Sequence, residues 1–224
     1  ALTWNAGNFV PDGSSLLFGS DSADSDVYFE NAIDLAGGER TIVANSGTEG
    51  ENIAYLDGVL SNGSVIFGDG TTQGTIALTA ANTYSGTTAV KAGTTLALEE
   101  DGSIASSSSV TVDGTLDVSG AGEGPALTTL DGGGAVEIGD NTLVVSNGST
   151  DFSGAIDGAG GLTVNAGNQT LSGTNTYEGA TLIASGAELT LKGSGSVEES
   201  SGVEANGTFD ISTTDTGATI AALT

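Results

Sequence analysis

Residues 78–119 read LTAANTYSGTTAVKAGTTLALEEDGSIASSSSVTVDGTLDVS, and residues 171–212, which begin 93 positions later, read LSGTNTYEGATLIASGAELTLKGSGSVEESSGVEANGTFDIS. Without a gap, 18 of these 42 aligned positions are identical, and others exchange like for like, as Val90 does with Ile183. A long repeat of short apolar pairs and glycine turns is typical of a chain that winds one supersecondary unit repeatedly. The repeated residues build a core and turn corners, so the repeat indicates an architecture more than an activity.

Apolar residues recur in i, i+2 pairs along most of the chain, as in Leu96/Leu98 and Val110/Val112. This spacing puts both side chains of a pair on one face of a strand, and turn signals such as Asp113-Gly114 separate the pairs. Strands this short, with corners between them, predict an all-β parallel β-helix with three faces and about 20 residues per coil. About eleven coils of that length would use the 224 residues.

Two antiparallel folds are alternatives to the β-helix. An immunoglobulin-like sandwich also has short strands, and its usual size of about 100 residues is close to the repeat length. The strands expected here are shorter than those of a sandwich, and neither repeat contains a tryptophan to anchor such a core. A transmembrane barrel needs strands of about 9–11 residues with aromatic girdles, which the sequence does not show.

The chain carries 29 acidic residues against 3 basic ones, for a net charge of −26. A nucleic-acid ligand is excluded because it requires several Lys or Arg contacts to phosphates, and an anionic lipid surface is excluded for the same reason. Salt or divalent cations would relieve the repulsion between copies. Cysteine is absent and no run of about 18 apolar residues occurs, so we expect no disulfide and no transmembrane segment.

Aromatic residues are concentrated in the first part of the chain. We predict N-terminal capping coils over residues 1–67 and the β-helix with its internal repeat over residues 68–224, because terminal coils must cover an open core and an unpaired strand edge. A ligand groove lined by aromatics is the alternative for the same residues. The C-terminal segment 219–224 shows no obvious cap, and we expect either a truncation there or contact with another molecule. Seven of the eleven aromatic residues lie in the first segment: Trp4, Phe9, Phe18, Tyr28, Phe29, Tyr55 and Phe67.

One motif of the repeat resembles a known family. Gly74–Thr79 (GTIALT) precedes Asn82–Gly86 (NTYSG), the second motif returns as Asn175–Gly179 (NTYEG), and residues 152–164 supply a glycine-rich lead-in. This pattern is similar to the passenger-associated transport repeat of bacterial autotransporters, also called the autotransporter-associated β-strand repeat. The resemblance covers roughly residues 52–224.

The resemblance implies a right-handed parallel β-helix on the bacterial surface or outside the cell. In that family the repeats are structural parts of adhesins and other surface proteins, and they help passengers to fold during export. A C-terminal translocator barrel, which a complete autotransporter has, is missing from this sequence. The resemblance therefore implies a passenger fragment or a free-standing secreted protein built of the same repeats.

Catalytic chemistry has little support in the sequence. Histidine and cysteine are both absent, which excludes most nucleophilic triads, the common zinc sites and the commonest general base. Lys91 aligns with Ala184, and Lys192 aligns with Glu99, so both lysines are expected to be surface residues that relieve local negative charge. Lyases of acidic polysaccharides need more cations than this chain has. We therefore predict no enzyme activity, and no catalytic, cofactor-binding or metal-binding residues.

Calcium is the one inorganic ligand to consider, because it binds six to eight carboxylate and carbonyl oxygens. Asp21, Asp24 and Asp26 cluster in a polar loop, and Gly68-Asp69-Gly70 is a second acidic turn. Neither segment follows an EF-hand or the glycine-rich calcium repeat, so the sequence favours solvated loop acids and leaves Ca²⁺ as a weak alternative.

The repeated Asn and Tyr residues could be mistaken for a site. We interpret Asn82 and Asn175 as residues that bond the backbone at a corner. Tyr84 and Tyr177 are expected to cover a coil edge with the hydroxyl group in water.

These observations predict a non-catalytic, secreted or cell-surface β-helical protein of a bacterium with a structural or adhesive role. A subunit that polymerises head to tail into an extracellular filament or surface layer is the second possibility, because solenoid ends expose unpaired backbone groups. A module that binds or cleaves polysaccharide is the third. The expected partners are further copies through the solenoid ends and a host-cell or glycan surface.

Overall fold

The computed structural model describes residues 2–4, 9–11, 13–47, 50, 52–122 and 124–224. Within these ranges every regular element is a β strand, and most strands are only two to five residues long. The strands are β1 (Leu2–Thr3), β2 (Leu16–Gly19), β3 (Val27–Phe29), β4 (Ile33–Asp34), β5 (Glu39–Asn45), β6 (Ile53–Leu56), β7 (Leu60–Ser61), β8 (Ser64–Phe67), β9 (Gly74–Leu78), β10 (Thr87–Val90), β11 (Thr94–Leu98), β12 (Ser109–Val112), β13 (Thr115–Asp117), β14 (Ala126–Leu127), β15 (Ala135–Glu137), β16 (Leu143–Val145), β17 (Asp151–Phe152), β18 (Ala155–Asp157), β19 (Leu162–Val164), β20 (Asn168–Leu171), β21 (Thr181–Ile183), β22 (Glu188–Gly193), β23 (Val203–Ala205) and β24 (Thr208–Thr214).

The strands pair in parallel and form five sheets that run along one long axis. Sheet I has the order β1-β4-β7, sheet II β12-β10-β8-β5-β2 and sheet III β18-β15-β13-β11-β9-β6-β3. Sheet IV has the order β14-β16-β19-β21-β23, and sheet V has β17-β20-β22-β24. A turn contributes strands to two or three sheets: β15, β16 and β17 belong to sheets III, IV and V, whereas β10 and β11 belong to sheets II and III. The chain is therefore a β-solenoid, and the predicted all-β, coiled architecture is confirmed.

The solenoid has about eight turns rather than the eleven that the sequence predicted. Turns at the beginning of the chain are longer than 20 residues, which accounts for part of the difference. Tyr28 pairs with Tyr55 on the next turn, 27 residues later, whereas Ala77 pairs with Ala97, 20 residues later. The excess residues form the loops between the first strands, which a constant coil length did not include.

The 93-residue repeat is not a whole number of turns. From β9 to β18 the chain makes four complete turns, because both strands belong to sheet III, and it then continues past β19 before reaching β20. Strands β9 and β20 are equivalent in the repeat, yet β20 belongs to sheet V. The two copies of the motif consequently lie on different faces of the solenoid.

The core is a set of apolar columns that run parallel to the axis. In sheet III the inward residues of successive turns pair in register, and each is completely buried. Burial of each such side chain contributes about 1.5–3 kcal/mol to the hydrophobic stabilisation, so the columns stabilise the stack of turns. One column consists of Ile76, Leu96, Leu116, Val136 and Ile156.

Four of the early aromatic residues pack at the N-terminal end of this core. Trp4 is 1% exposed and meets Phe9 edge to face with ring centroids 6.2 Å apart. Phe9 stacks on Phe29 at 6.3 Å, and Phe18 meets Phe29 at 5.6 Å. The division of the chain at residue 67 stays a prediction; sheets II and III both continue across that position.

Candidate functional site

The repeated asparagines bind three successive turns together. The Asn82 side chain accepts a hydrogen bond from the backbone N–H of Leu60 at 2.8 Å, and its Nδ2 donates to the carbonyls of Ala80 at 2.9 Å and Ser103 at 3.2 Å. Leu60 belongs to the preceding turn and Ser103 to the following one. An amide side chain has both an acceptor and donors, so it can satisfy backbone groups on both neighbouring turns.

Asn175 repeats this geometry on another face. Its oxygen accepts from the backbone N–H of Ile156 at 3.0 Å, and its Nδ2 donates to Gly173 O at 3.1 Å and to Ser196 O at 2.9 Å. Both asparagines are buried. Their interpretation as residues that bond the backbone at a corner is confirmed.

The repeated tyrosines are buried, hydroxyl group included, and the expectation of a hydroxyl in water is wrong. Tyr84 and Tyr177 are each 1% exposed. The Tyr84 hydroxyl lies 2.7 Å from Thr88 Oγ1, which donates to Ser107 Oγ at 2.9 Å. Because a buried hydroxyl needs a hydrogen-bond partner, Thr88 on the same turn and Ser107 on the next turn allow the ring to enter the core.

The second copy has the same buried chain of hydroxyl groups. The Tyr177 hydroxyl oxygen lies 2.6 Å from Thr181 Oγ1, and Thr181 Oγ1 lies 3.0 Å from Ser200 Oγ. Burial raises the pKa of both Tyr84 and Tyr177 above the usual value of 10.0, and the hydrogen bond to threonine opposes this only in part. Phenols held in the neutral form among hydroxyl groups supply neither a base nor a charge, so these networks are structural.

The acidic loop at residues 21–26 is held together by separate hydrogen bonds. Asp21 accepts from Asn45 Nδ2 at 2.8 Å, and Asp26 accepts from the backbone N–H of Ile53 at 2.8 Å. Among the described residues, no group of three His, Cys, Asp or Glu side chains could hold a metal ion. The two carboxylates tie their loop to the next turn.

Asp69 closes a turn of its own. Its carboxylate accepts from the backbone N–H groups of Thr71 at 2.8 Å and Thr72 at 2.7 Å, and from both of their hydroxyls. These bonds, that of the Thr72 N–H first, hold the pKa of Asp69 well below its usual value of 3.8. The acidic turn is thus a local hydrogen-bonded loop.

The three basic residues are far apart in the sequence, and each contacts a different group of the protein. Lys91 is 3.7 Å from Asp113, and Lys192 is 3.0 Å from Asp151. The pKa of Asp151 is lowered mainly by the Ser172 hydroxyl and further by Lys192. Arg40 donates to Leu35 O at 3.0 Å and lies 5.6 Å from the centre of the Trp4 ring.

A groove bounded by aromatic and charged side chains lies beside sheet III. The rings of Tyr28 and Tyr55 stack with centroids 4.7 Å apart and planes inclined by 2°, and Tyr28 is 62% exposed. Sheet III places Ala77 and then Ala97 after Tyr55 in the same outward column, so the aromatic side chains of this column end at Tyr55. A groove of about 760 Å³ adjoins the pair and is lined by Tyr28, Tyr55, Asp57, Thr79, Ala80, Ala81, Glu99, Glu100 and Asp101.

Negative charge is concentrated along this groove. Thr79 Oγ1 donates to Asp57 at 2.7 Å and fixes that carboxylate. Partial burial, followed by the nearby charges of Asp117 and Glu100, raises the pKa of Glu99 above its usual value of 4.5. Burial and then Glu99 likewise raise the pKa of Tyr55. The groove can offer aromatic surface and hydrogen-bond acceptors to a ligand.

The sequence contains a signal for the outward position of these two tyrosines. Tyr28 lies between Val27 and Phe29, and Tyr55 lies between Ala54 and Leu56. Alternation along a strand then places both tyrosines on the outer face. The contact between the two tyrosines depends on the length of the turn that separates β3 from β6. The 93-residue repeat does not include that turn and does not reveal its length.

No protein-family model matches this chain, and neither a curated protein nor a solved structure matches it significantly. Among the described residues, no helix is long and apolar enough to span a membrane. The fold itself defines the class of protein: the chain is a β-solenoid repeat protein.

Proposed function

We propose that this β-solenoid is a non-catalytic protein of the bacterial cell surface or the extracellular space, with a structural or adhesive role. The observation that carries the proposal is the use of the repeated polar residues. The side-chain amide groups of Asn82 and Asn175 form hydrogen bonds between turns. The repeated motif therefore serves to join successive turns of a rod. Its amide groups are occupied by backbone hydrogen bonds, and the motif provides no reactive group.

Two properties of the sequence support the extracellular location. The NTYSG and NTYEG motifs resemble repeats of autotransporter passengers, which are exported. A net charge of −26 suits a saline environment, in which mobile cations screen the repulsion between acidic side chains.

The location can be tested on intact cells of the source bacterium. We expect antibodies raised against the folded solenoid to label unpermeabilised cells or the culture medium, and external protease to remove the cell-bound signal. A cytoplasmic marker protein serves as the control for cell integrity. Labelling that appears only after permeabilisation would contradict the proposal.

A second candidate role is head-to-tail polymerisation. Strand β24 is the last strand of sheet V and carries the exposed side chain of Ile211, and Leu223 is 60% exposed on the same final turn. The edge of a sheet is a template for pairing with another chain. Electron microscopy of the purified protein, with and without Ca²⁺, tests this role; fibres support it, and single particles under both conditions contradict it.

A further inference from the structure

The groove beside Tyr28 and Tyr55 is separate from the buried asparagine and tyrosine networks that join the turns. We propose that it binds a peptide segment that carries lysine or arginine side chains. This proposal goes beyond the structural and adhesive role, since it names the chemistry of a bound partner and does not depend on where the protein is located.

The aromatic part of the groove suits a cation with apolar carbons beside it. Tyr28 is 62% exposed, and its ring is held parallel to that of Tyr55 at 4.7 Å. A lysine or arginine head group is attracted to the face of such a ring, and its methylene stem covers apolar surface. Because β3 is the terminal strand of sheet III in the part of the chain that the structure describes, no described strand of that sheet stacks on Tyr28.

The charge of the groove selects the same ligand. Four carboxylates line it, from Asp57, Glu99, Glu100 and Asp101. The protein's own cations are placed elsewhere: Lys91 is 3.7 Å from Asp113, Lys192 is 3.0 Å from Asp151, and Arg40 lies over Trp4. No lysine or arginine is among the described residues that line the groove, so a cationic ligand would meet negative charge that no basic side chain of the lining offsets. An anionic polysaccharide is unsuited to it, and a neutral saccharide would leave the charge uncompensated.

The dimensions favour a short peptide over a single small amine. Tyr28 lies on β3, and the other lining residues follow or belong to β6, β9 and β11, so the lining comes from four successive turns. At a strand spacing of about 4.8 Å these turns span about 14 Å. Four residues of an extended peptide cover about the same distance. The volume of about 760 Å³ is within the usual range for ligand sites.

The proposal can be tested by calorimetric titration with a five-residue peptide in which lysine and glycine alternate. The matched neutral probe is the same peptide with acetylated lysines. We expect the lysine peptide to bind the wild-type protein and the acetylated peptide to lose most of that affinity. Equal binding of both probes would overturn the proposal.

Substitutions separate the groove from the overall charge. Y28A/Y55A leaves the net charge unchanged, and we expect it to weaken binding by about fivefold to thirtyfold, since each cation–aromatic contact is modest. E99Q/E100Q should weaken it by about tenfold. The matched control is E198Q/E199Q, which removes the same two charges from an exposed corner far along the chain; it should change the affinity by less than about twofold.

Three outcomes would overturn the assignment. One is an equal loss of affinity in E99Q/E100Q and E198Q/E199Q together with normal binding by Y28A/Y55A, because net charge alone would then explain binding. Another is tighter, tyrosine-dependent binding of a neutral cellulose oligosaccharide in the same assay. The third is normal binding by Y28A, the variant to use if circular dichroism shows that Y28A/Y55A does not fold.

Discussion

Asn175 illustrates how one side chain can stabilise three turns. Its oxygen is the partner of the Ile156 N–H, and its nitrogen donates to carbonyls on its own turn and on the next. Substitution of Asn175 by alanine removes these bonds and leaves a buried N–H group without a partner. We expect N175A to lower the free energy of unfolding by about 1–3 kcal/mol, measured by urea denaturation.

The control for N175A is N165A, on an exposed residue outside the repeated motif. Surface substitutions of this kind change the free energy of unfolding by about 0.5 kcal/mol or less. Similar losses in both variants would contradict the assignment of the inter-turn bonds to Asn175.

Tyr84 and Tyr177 predict a sensitivity to alkaline pH. Burial raises the pKa of both phenols in the folded protein above 10.0, so the folded state holds their protons more tightly than the unfolded state. The stability that this difference supplies is complete below pH about 10 and is lost as the pH rises further. In a spectrophotometric titration, we expect two of the four tyrosines to ionise only as the protein unfolds.

The variant Y84F/Y177F identifies the tyrosines responsible for this behaviour. It has no phenol at the two buried positions, so its remaining tyrosines should ionise before unfolding, and its stability should fall less steeply above pH about 10. The opposite result would be that all four tyrosines of the wild-type protein ionise while its near-ultraviolet circular dichroism stays native. That result would contradict the burial of Tyr84 and Tyr177.

The corners between strands depend on a column of glycines. A Cβ atom on Gly134 would lie 2.0 Å from Gly114 O, one on Gly154 would lie 1.9 Å from Gly134 O, and one on Gly173 would lie 1.9 Å from Gly154 O. Real Cβ contacts are never this short, so a methyl group in this column must force two turns apart. The spacing of the backbones excludes every side chain at these corners.

We therefore expect G134A to destabilise the solenoid by more than about 2 kcal/mol, with a lower thermal midpoint in calorimetry. The neighbouring variant G133A is the matched control, because the nearest atom to its new Cβ is the flexible Ser153 Oγ at 3.2 Å. G133A should lose less than about 1 kcal/mol. Equal midpoints for the two variants would show that the corner can relax.

The sequence predicted the β strands and their buried faces better than it predicted the contacts that side chains make with neighbouring turns. Leu96 and Leu98 form an i, i+2 pair, and both are buried on β11, because strand alternation is a local property that a short window reveals. The position of the Tyr84 hydroxyl depends on Ser107 on the next turn. No local pattern reports that neighbour, and the water-exposed hydroxyl was therefore a wrong prediction.

At the scale of the whole molecule, the length of the repeat determines where its features appear. Because 93 residues exceed four turns, the motif at Asn82 and its copy at Asn175 lie on different faces. Tyr28 and Tyr55 lie outside the repeat, so the groove with its stacked tyrosines has no counterpart at the second copy. It could not be located from the repeat, and it required the 27-residue first turn that brings Tyr28 to Tyr55.

The same stacking aligns like charges along the rod. Asp117 pairs with Glu137, and Glu137 pairs with Asp157, in neighbouring strands of sheet III. Like charges directly opposite each other in adjacent strands are destabilising, by about 0.2–1 kcal/mol for each pair. Salt should relieve this repulsion, and we expect the thermal midpoint of the wild-type protein to rise with ionic strength.

The variant E137Q tests whether this column of acids is responsible. It removes the central charge and both repulsions, so at low salt we expect a gain of about 0.5–1 kcal/mol in the free energy of unfolding. The gain should shrink toward zero at about 1 M salt, where the screening length is only about 3 Å. The control is E178Q, whose backbone bonds to Gly158 and Ser201 rather than to acidic residues. Both variants change the net charge equally. A gain of the same size in E178Q would show that total charge is responsible for the effect. A gain confined to E137Q would show that the alignment of acidic residues in the solenoid is responsible.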